Sequence, residues 1–345
     1  MNETTIQIRD YGYQGEAEND IARVTAVYKE RYELVCANGT VYGFLKPGEY
    51  RCGRQAYPTT GDFVRLEYNP SGDSRILETL PRRSLFARRE PGHAREQAVA
   101  ANFDYALIVT ALNRDFNPRR LERYLAVAWD SGAQPVILLT KADLCPDFGA
   151  HICAVENIAP GVPVHAISTY TGLGMEALAA YARPGVTLVL LGSSGVGKSS
   201  LLNAMAGETL MPVNATRNVD ASKGRHTTTH RQLFLLPCGA MIIDTPGMRE
   251  LGMWCVEEGV ADAFQDIEEI LARGCRFSDC QHNREPGCAI RAALDSGELS
   301  VPRWNSYQSL RQETHFAMNR QAALRKKQAK NKEIAKAIRE IHKKD

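Results

Sequence analysis

The sequence of 345 residues contains no apolar run long enough to cross a bilayer, which takes about 20 residues in a helix. Its first residues, Met1-Asn2-Glu3-Thr4-Thr5, lack the basic and apolar regions of a secretory signal. These absences predict a cytoplasmic protein with no membrane association. The length is sufficient for two or three domains, and the composition is that of an ordinary globular protein.

A disulfide framework is also lacking, because the nine cysteines are odd in number and scattered over a long chain. We therefore expect most of them to be reduced thiols that pack as small hydrophobic side chains. Cysteines without ligand-type neighbours, such as Cys36, Cys145 and Cys238, are assigned to the core.

One cysteine cluster stands apart from this background, with three cysteines and one histidine within fourteen residues. Its members are Cys275, Cys280, His282 and Cys288. Three thiolates and an imidazole form a tetrahedral ligand set for zinc, and this loop-rich segment has little apolar material to hold it folded. The sequence predicts one structural Zn²⁺ here, with all four ligand positions filled by the protein.

The net charge is only +2, but it is unevenly distributed. From Arg320 onward there are ten Lys/Arg against three Asp/Glu, a balance of +7, whereas the rest of the chain has 32 basic and 37 acidic residues. A basic tail on a mildly acidic body indicates a polyanionic partner, and a solvated helix that binds nothing fits the charge equally well.

Residues 1–20 are polar and predict a flexible N-terminus, whereas residues 21–90 have the pattern of short strands separated by turns. The predicted strands are 24–28, 32–36, 41–45, 63–66 and 74–77. Five short strands in this length indicate a closed barrel of the OB type. Such a barrel often binds single-stranded nucleic acid, and a structural or protein-binding barrel is the alternative. The residues that would supply charge and stacking are Arg31, Lys46, Arg51, Arg54, Tyr42 and Tyr50.

The basic stretch 82–89 is interpreted as a linker to a second domain, predicted to span residues 95–255. In that domain, apolar strands alternate with helices near 119–131 and 175–182, which predicts a parallel sheet covered on both faces. A third domain, residues 256–345, is predicted to be helical, with the metal cluster and a basic C-terminal helix. The fold class is therefore α/β with a barrel before it and a helical metal-binding domain after it.

A phosphate-binding loop follows the predicted strand 187–191, and a helix-forming run follows the loop. Residues 192–199, Gly-Ser-Ser-Gly-Val-Gly-Lys-Ser, satisfy the pattern G-x-x-x-x-G-K-[ST] in the context it requires. Its glycines allow backbone N–H groups to surround a phosphate at the positive end of a helix. We expect Lys198 to bridge the β- and γ-phosphates and the Ser199 hydroxyl to bind Mg²⁺.

Two further nucleotide motifs end apolar strands. Asp244-Thr245-Pro246-Gly247 is a D-x-x-G motif, in which Asp244 would hold the Mg²⁺ shell and the Gly247 N–H would sense the γ-phosphate. Thr140-Lys141-Ala142-Asp143 has the form of a guanine-reading motif. The Asp143 carboxylate can accept from two guanine donors that adenine lacks, and the Lys141 stem would lie along the base. Thr140 replaces the usual Asn, and its shorter side chain predicts a weaker tether to the phosphate loop.

The guanine-reading motif precedes the phosphate-binding loop, whereas in Ras-like GTPases it follows. Each motif nevertheless ends a strand, where open α/β sheets bind ligands, and permutation preserves such a site when the original termini lie close together. Ser168-Thr169, after the next strand, lies where a backbone amide would meet guanine O6. We interpret the chain as a circularly permuted Ras-like P-loop GTPase.

On these motifs the chain resembles the circularly permuted small ribosomal subunit biogenesis GTPases, the RsgA or YjeQ family. The match covers nearly the whole length: a barrel, T-K-x-D, the P-loop, Gly224-Arg225-His226-Thr227-Thr228-Thr229, D-T-P-G and the Cys/His cluster, in that order. The resemblance implies a GTPase that binds the 30S subunit and 16S rRNA late in subunit maturation, is stimulated there, and converts GTP to GDP and phosphate. We expect it to act as a monomer.

The water-positioning residue for hydrolysis cannot be the one after D-x-x-G, because Met248 has a thioether that does not orient water. His226, in the first-switch region between P-loop and D-x-x-G, is the candidate by position and by resemblance. A switch threonine, Thr228 or Thr229, should join Ser199 and Asp244 around Mg²⁺, and Thr228 is taken as the candidate. The nucleotide ligands predicted are Thr140, Lys141, Ala142, Asp143, Ser168, Gly192, Ser193, Ser194, Gly195, Val196, Gly197, Lys198, Ser199, Ser200, Asp244 and Gly247.

Two other functions remain compatible with the sequence. In one, the protein is a nucleotide-gated RNA-binding checkpoint in which hydrolysis serves only as a release timer. In the other, it is a P-loop ATPase, which a role of Asp143 in guanine selection would exclude.

Overall fold

The computed structural model describes residues 7–16, 19–29, 31–46, 48, 50, 57–89, 96–113, 116–211, 231–244, 257–316 and 319. Among these residues, no helix combines the length and apolar character needed to cross a membrane. The chain divides into two compact units, one formed by Met1–Ala87 with Ala98–Glu250 and the other by Arg88–Gln97 with Leu251–Asp345. The three domain boundaries expected from the sequence stay predictions.

The first unit begins with the five-stranded barrel that the turn-punctuated pattern predicted. Its strands are β1 (Ile21–Val27), β2 (Tyr32–Cys36), β3 (Gly39–Leu45), β4 (Phe63–Glu67) and β5 (Ser74–Thr79). They pair in the order β1-β2-β3-β5-β4, and β4 closes the barrel on β1. Side chains such as Val24, Leu34, Val64 and Ile76 fill the interior, because alternate side chains in a strand point to the same face.

The segment before the barrel is packed against it. Ile8 is buried with Ile21 and Phe63, and the Tyr11 carbonyl accepts a hydrogen bond from Arg23. Residues 7–16 therefore differ from the flexible N-terminus predicted for residues 1–20. The polar composition of residues 1–20 did not indicate these contacts with the barrel, which are made by one buried isoleucine and two tyrosines.

The basic stretch after the barrel is partly a strand, so the linker prediction was wrong for residues 85–89. β6 (Leu85–Arg89) pairs with β7 (Glu96–Ala101) in a two-stranded sheet. Phe86 is buried against Phe103, with ring centroids 4.5 Å apart. Arg82 donates at 2.7 Å to the fully buried Asp62 carboxylate. Arg82 therefore neutralises a buried charge, which a residue of a solvated linker would not do.

The nucleotide-binding region is a sheet of mostly parallel strands. In chain order it contains β8 (Tyr105–Ala111), α1 (Pro118–Asp130), β9 (Gln134–Thr140), α2 (Phe148–Ile158), β10 (Val164–Ala166), β11 (Thr187–Leu191), α3 (Lys198–Ala206), β12 (Gln232–Leu235) and β13 (Met241–Asp244). The spatial order is β10-β9-β8-β11-β13-β12, and only β12 is antiparallel to its neighbour β13. Because β8 to β11 and β13 are parallel, their carboxyl ends lie along one edge.

The helices of this region match the prediction unevenly. α1 confirms the helix expected near 119–131, and it begins after Asn117, whose side chain accepts from the Arg120 N–H, with Pro118 in its first turn. The helix expected at 175–182 is a 3₁₀ helix over Met175–Ala180. α2 was not anticipated. Its N-cap is Asp147, which accepts from the Ala150 N–H.

The barrel and the nucleotide-binding sheet are joined edge to edge. β12 pairs with β1 through Ala26 and Gln232, so eleven strands form one hydrogen-bonded sheet. Near this joint, the fully buried Arg23 donates to the carbonyls of Gly61 and Asn102 at 3.3 and 2.9 Å. It also contacts Met241 Sδ at 3.1 Å, so one side chain of β1 reaches β13.

The second unit is largely helical. Its helices are α4 (Glu257–Ala263), α5 (Gln265–Ala272), α6 (Ala289–Ser296) and α7, which is described over 301–316. The buried Arg303 of α7 forms a two-point ion pair with Asp266 and lies over the Phe264 ring, 4.1 Å from its centroid. Tyr307 donates to Glu268 at 2.6 Å. The basic C-terminal helix predicted beyond Arg320 lies outside the described residues.

Candidate functional site

The phosphate-binding loop connects β11 to α3. Gly192, Gly195 and Gly197 have φ values of 150°, 83° and 103°, a backbone region that favours glycine. At Gly192 a Cβ atom would lie 2.3 Å from the Val109 carbonyl oxygen, so no larger residue fits without moving β8. The loop therefore has the curled backbone and following helix N-terminus of an anion-binding site.

Lys198 begins α3 and reaches back over the loop. Its ammonium group donates to the carbonyl oxygens of Gly192 and Ser193, each at 2.7 Å. These contacts hold the charge at the mouth of the loop, where a phosphate would compete for it. Ser199 and Ser200 follow in the first turn of α3 and are half-buried.

The guanine-reading motif is tied directly to the phosphate loop. Thr140 ends β9, is 3% exposed, and donates from Oγ1 to the Val196 carbonyl oxygen at 2.6 Å. Lys141 has a left-handed backbone, φ 62°, and donates from Nζ to the Gly195 carbonyl oxygen at 3.1 Å. The threonine hydroxyl thus reaches the phosphate loop directly, and the expectation of a weaker tether than asparagine would form stays a prediction.

Asp143 lies in a 3₁₀ turn, Ala142–Leu144, that opens to solvent. The turn is fixed because the Ala142 N–H donates to the Ile167 carbonyl oxygen at 3.1 Å. An exposed carboxylate on a fixed turn, two residues after Lys141, is in position to receive donors from a base edge.

Ser168 supports the next loop from within. It is 1% exposed, its N–H donates to the Leu173 carbonyl oxygen at 2.9 Å, and its Oγ accepts from the N–H groups of Tyr170 and Thr171 at 3.2 Å each. The Ser168 amide is thus already engaged. Of the pair Ser168-Thr169, this leaves the Thr169 amide as the candidate for guanine O6.

Asp244 is the last residue of β13 and is 8% exposed. It pairs in register with Gln232 of β12. Since β13 and β11 are parallel neighbours, Asp244 lies at the same sheet edge as the phosphate loop. The remaining predicted residues of the switch regions, Gly247, His226 and Thr228, lie outside the described residues.

The Cys/His cluster comes together in space. The ligand atoms of its four residues lie within 4.8 Å of one another, in keeping with one metal ion at their centre. His282 Nδ1 is 3.6, 3.7 and 3.5 Å from the sulfurs of Cys275, Cys280 and Cys288. His282 adopts a left-handed backbone, φ 61°, which turns the ring toward the three sulfurs. The donor set fits a tetrahedral metal ion.

The surroundings of the cluster act on its thiols in opposite ways. The Ala289 N–H donates to Cys275 Sγ at 3.4 Å and lowers the pKa of that thiol, which favours the thiolate. Desolvation raises the pKa of Cys280 to about 11, an effect that a cation bound by the sulfurs would reverse. The His282 ring lies edge-on to Trp304, with centroids 5.8 Å apart, so the metal cluster is connected to the core of the helical unit.

A family model for the RsgA GTPase matches residues 79–254. The small ribosomal subunit biogenesis GTPase RsgA 1 of Listeria monocytogenes is 46% identical over 326 residues, covering 94% of this chain and 92% of that protein.

This chain belongs to the RsgA GTPase family.

RsgA of Streptomyces avermitilis is 52% identical over 259 residues, covering 74% of this chain and 69% of that protein. The crystal structure of YjeQ from Thermotoga maritima superposes with a TM-score of 0.64 at 26% identity, covering 84% of this chain and 96% of that one. The crystal structure of YloQ, a circularly permuted GTPase, gives 0.60 at 24% identity, covering 89% and 98%, a likeness of fold. The predicted permuted GTPase fold is confirmed.

Membership in the family makes the chain a GTPase, a hydrolase that acts on GTP, as the motifs predicted. The sequence did not reveal the acceptors that join the motifs, the carbonyl oxygens of Val196 and Gly195. A backbone carbonyl has no residue signature, so only the fold could identify them.

Replacing Thr140 with Val tests the tether. Val keeps the shape but removes the hydroxyl, which leaves the buried Val196 carbonyl without this donor, a loss of about 1–3 kcal/mol. We expect the dissociation constant for GDP, measured by isothermal titration calorimetry, to rise about tenfold, which corresponds to about 1.4 kcal/mol.

The control is Thr140→Ser, which keeps the hydroxyl and should bind GDP with nearly wild-type affinity. Equal affinities of the Val variant and the wild-type protein would show that the hydrogen bond does not support the site.

Proposed function

We propose that this GTPase acts in the biogenesis of the small ribosomal subunit, where it binds the 30S subunit and hydrolyses GTP to GDP and phosphate. The observation that carries the proposal is 46% identity over nearly the full length of a protein named for that role. The described site supports it, since the guanine-reading motif and the phosphate loop are both present and Thr140 of the motif donates to Val196 of the loop.

The residues proposed to bind the nucleotide follow the ends of three strands, β9, β11 and β13. Asp143 would accept from the guanine edge, and Lys141 would lie along the base. Lys198 would exchange its loop carbonyls for phosphate oxygens. Ser199 and Asp244, with Thr228 or Thr229, would hold Mg²⁺, which neutralises charge on the phosphates when bound.

Hydrolysis requires a residue that orients the attacking water, and we assign this role to His226. Met248, which follows D-x-x-G, offers no hydrogen-bonding group strong enough for the task. A histidine can both donate and accept near neutral pH. We infer that contact with the subunit places His226, so that hydrolysis is slow in the free protein.

The barrel and the basic tail are the proposed contacts to 16S rRNA. On β3, Tyr42 and Phe44 are 39% and 37% exposed, and the Arg31 guanidinium lies 3.8 Å from the centroid of the Tyr42 ring. Exposed aromatic rings beside a cation are typical of single-stranded nucleic-acid surfaces. We propose that the protein works in the cytoplasm as a monomer.

GTP turnover with and without purified 30S subunits tests the proposed function. We expect the subunits to raise kcat at least about tenfold, because an external partner must complete the water-positioning group. Turnover that stays unchanged at saturating subunit concentration would contradict subunit-stimulated hydrolysis. Subunit binding that depends on the nucleotide, together with unstimulated single-turnover rates, would favour the checkpoint function, with hydrolysis only as a release timer.

The His226→Ala variant belongs in the same assay. It should bind GTP as the wild type does and lose the stimulated turnover. Retention of that turnover would reject His226 as the water-positioning residue while leaving the subunit role intact.

We also propose that the Cys/His cluster binds zinc in a structural role. All four tetrahedral positions would be occupied by protein, so no position remains for water or substrate. The segment between α5 and α6 contains no regular helix or strand in the described residues, which is why a metal would be needed to hold it.

Freshly purified protein should contain about one zinc ion per chain by elemental analysis. Cys280→Ser should lose the metal and shift the fluorescence of Trp304, which contacts His282. The matched control is Cys153→Ser, an exposed cysteine outside the cluster, which should retain zinc. Absence of stoichiometric zinc from the wild-type protein would refute the assignment.

A further inference from the structure

One aromatic side chain near the turn Ala142–Leu144, which carries Asp143, is almost entirely exposed to solvent. Tyr170 is 90% exposed, whereas the other exposed large apolar side chains of the described residues reach at most 69%. It stands two residues after Ser168, in the loop that leaves β10. Side chains in loosely held loops are often exposed without any function. The exposure of a large ring therefore indicates a binding role only when its backbone is fixed.

The backbone of this loop is fixed at both ends. The Tyr170 N–H donates to Ser168 Oγ at 3.2 Å, and the Gly172 N–H donates to the Ser168 carbonyl oxygen at 2.9 Å. At Gly174, φ is 67°, and a Cβ atom would lie 2.2 Å from the Ala166 carbonyl oxygen. Hydrogen bonds to the buried Ser168 thus fix the backbone of this loop, so the backbone of Tyr170 has a defined position.

That position is next to the turn that carries Asp143. β9 and β10 are parallel neighbours, with Leu139 opposite Ala166. Beyond them, the Ala142 N–H donates to the Ile167 carbonyl oxygen at 3.1 Å. The two loops therefore leave the same sheet edge side by side, one with the carboxylate and the other with the ring.

A purine held by its edge still exposes two flat faces. In the proposed site, one of these faces lies against the Lys141 side chain, which is held on the phosphate loop by its hydrogen bond to the Gly195 carbonyl oxygen. We propose that the Tyr170 ring stacks on the guanine base of bound GTP or GDP and so contributes to nucleotide affinity. This inference rests on the proposed role of Asp143 in reading the edge of the same base.

The charge of the loop favours this ligand over RNA. Residues 168–174, Ser-Thr-Tyr-Thr-Gly-Leu-Gly, include no lysine or arginine. RNA-binding surfaces draw most of their affinity from cationic contacts with phosphates. A neutral loop is suited to a base whose own phosphates are already held elsewhere, here by the P-loop.

The test is the dissociation constant for GDP in Tyr170→Ala, compared with Tyr170→Phe and the wild type. Stacking of a base on an aromatic ring contributes about 1–3 kcal/mol, so we expect the Ala variant to bind about tenfold more weakly. The Phe variant, which keeps the ring, should bind nearly as tightly as the wild type. Tyr68→Ala, which removes a 41% exposed barrel tyrosine, is the matched control and should change nothing.

A second measurement separates stacking from damage to the fold. In Tyr170→Trp, GDP should quench the added tryptophan emission, whereas inorganic pyrophosphate, which has no base, should not. Pyrophosphate should also compete for the P-loop equally well in the wild type and in Tyr170→Ala.

Three results would overturn the inference. They are unchanged GDP affinity in Tyr170→Ala, an equal loss of pyrophosphate affinity, and a loss only of subunit-stimulated turnover, which would assign Tyr170 to the subunit. Failure of the underlying nucleotide site would look different, because the wild-type protein itself would then fail to bind GDP.

Discussion

The hydrogen bond from Thr140 Oγ1 to the Val196 carbonyl oxygen is the contact on which the nucleotide site depends. It joins the end of β9 to the loop after β11, two segments 56 residues apart in the chain. It is buried, so no water competes for either group. The bond requires β9, β8 and β11 to be parallel neighbours with their carboxyl ends aligned, which is the arrangement observed. Chain order does not enter into this requirement, so a permuted chain can satisfy it.

Permutation places β12 and β13 last among the strands of the nucleotide-binding region, and these two strands connect that region to the barrel. β12 pairs with β13 on one side and with β1 of the barrel on the other. In register, Asp244 lies opposite Gln232, and Gln232 lies opposite Ala26. The Mg²⁺-shell candidate is therefore two strands away from the barrel. A displacement of β13 would act on the barrel through backbone hydrogen bonds and not through a flexible linker.

Arg23 strengthens this joint. Burial lowers its pKa to about 9, so it remains protonated at neutral pH despite being fully enclosed. The charge is satisfied by carbonyl oxygens of three segments, those of Tyr11, Gly61 and Asn102, and by the face of Phe63. Through these contacts and its contact with Met241 Sδ, the side chain connects β1 of the barrel to β13 of the nucleotide-binding sheet.

The sequence was sufficient for features that have a residue signature. Glycines marked the phosphate loop, apolar runs marked the parallel strands, and cysteine spacing marked the metal cluster. It failed where backbone groups or tertiary contacts decide the structure. The strand at 85–89 depends on burial of Phe86, and the tether depends on a carbonyl oxygen. The exposure of Tyr170 follows from the pinning of its loop by Ser168, which no local pattern indicates.

Asp143 is the proposed reader of guanine in a site assembled from permuted strands. The decisive measurement is the pair of dissociation constants for GDP and xanthosine diphosphate in Asp143→Asn. The amide of the variant can accept from xanthine N1–H through its oxygen and donate to the xanthine 2-oxo group through its NH2, whereas guanine presents two donors, of which the amide oxygen can serve only one. The variant should therefore lose affinity for GDP and gain it for xanthosine diphosphate, reversing the wild-type preference. An unchanged preference for GDP would show that Asp143 does not contact the base, and would contradict the assembly of the site described here.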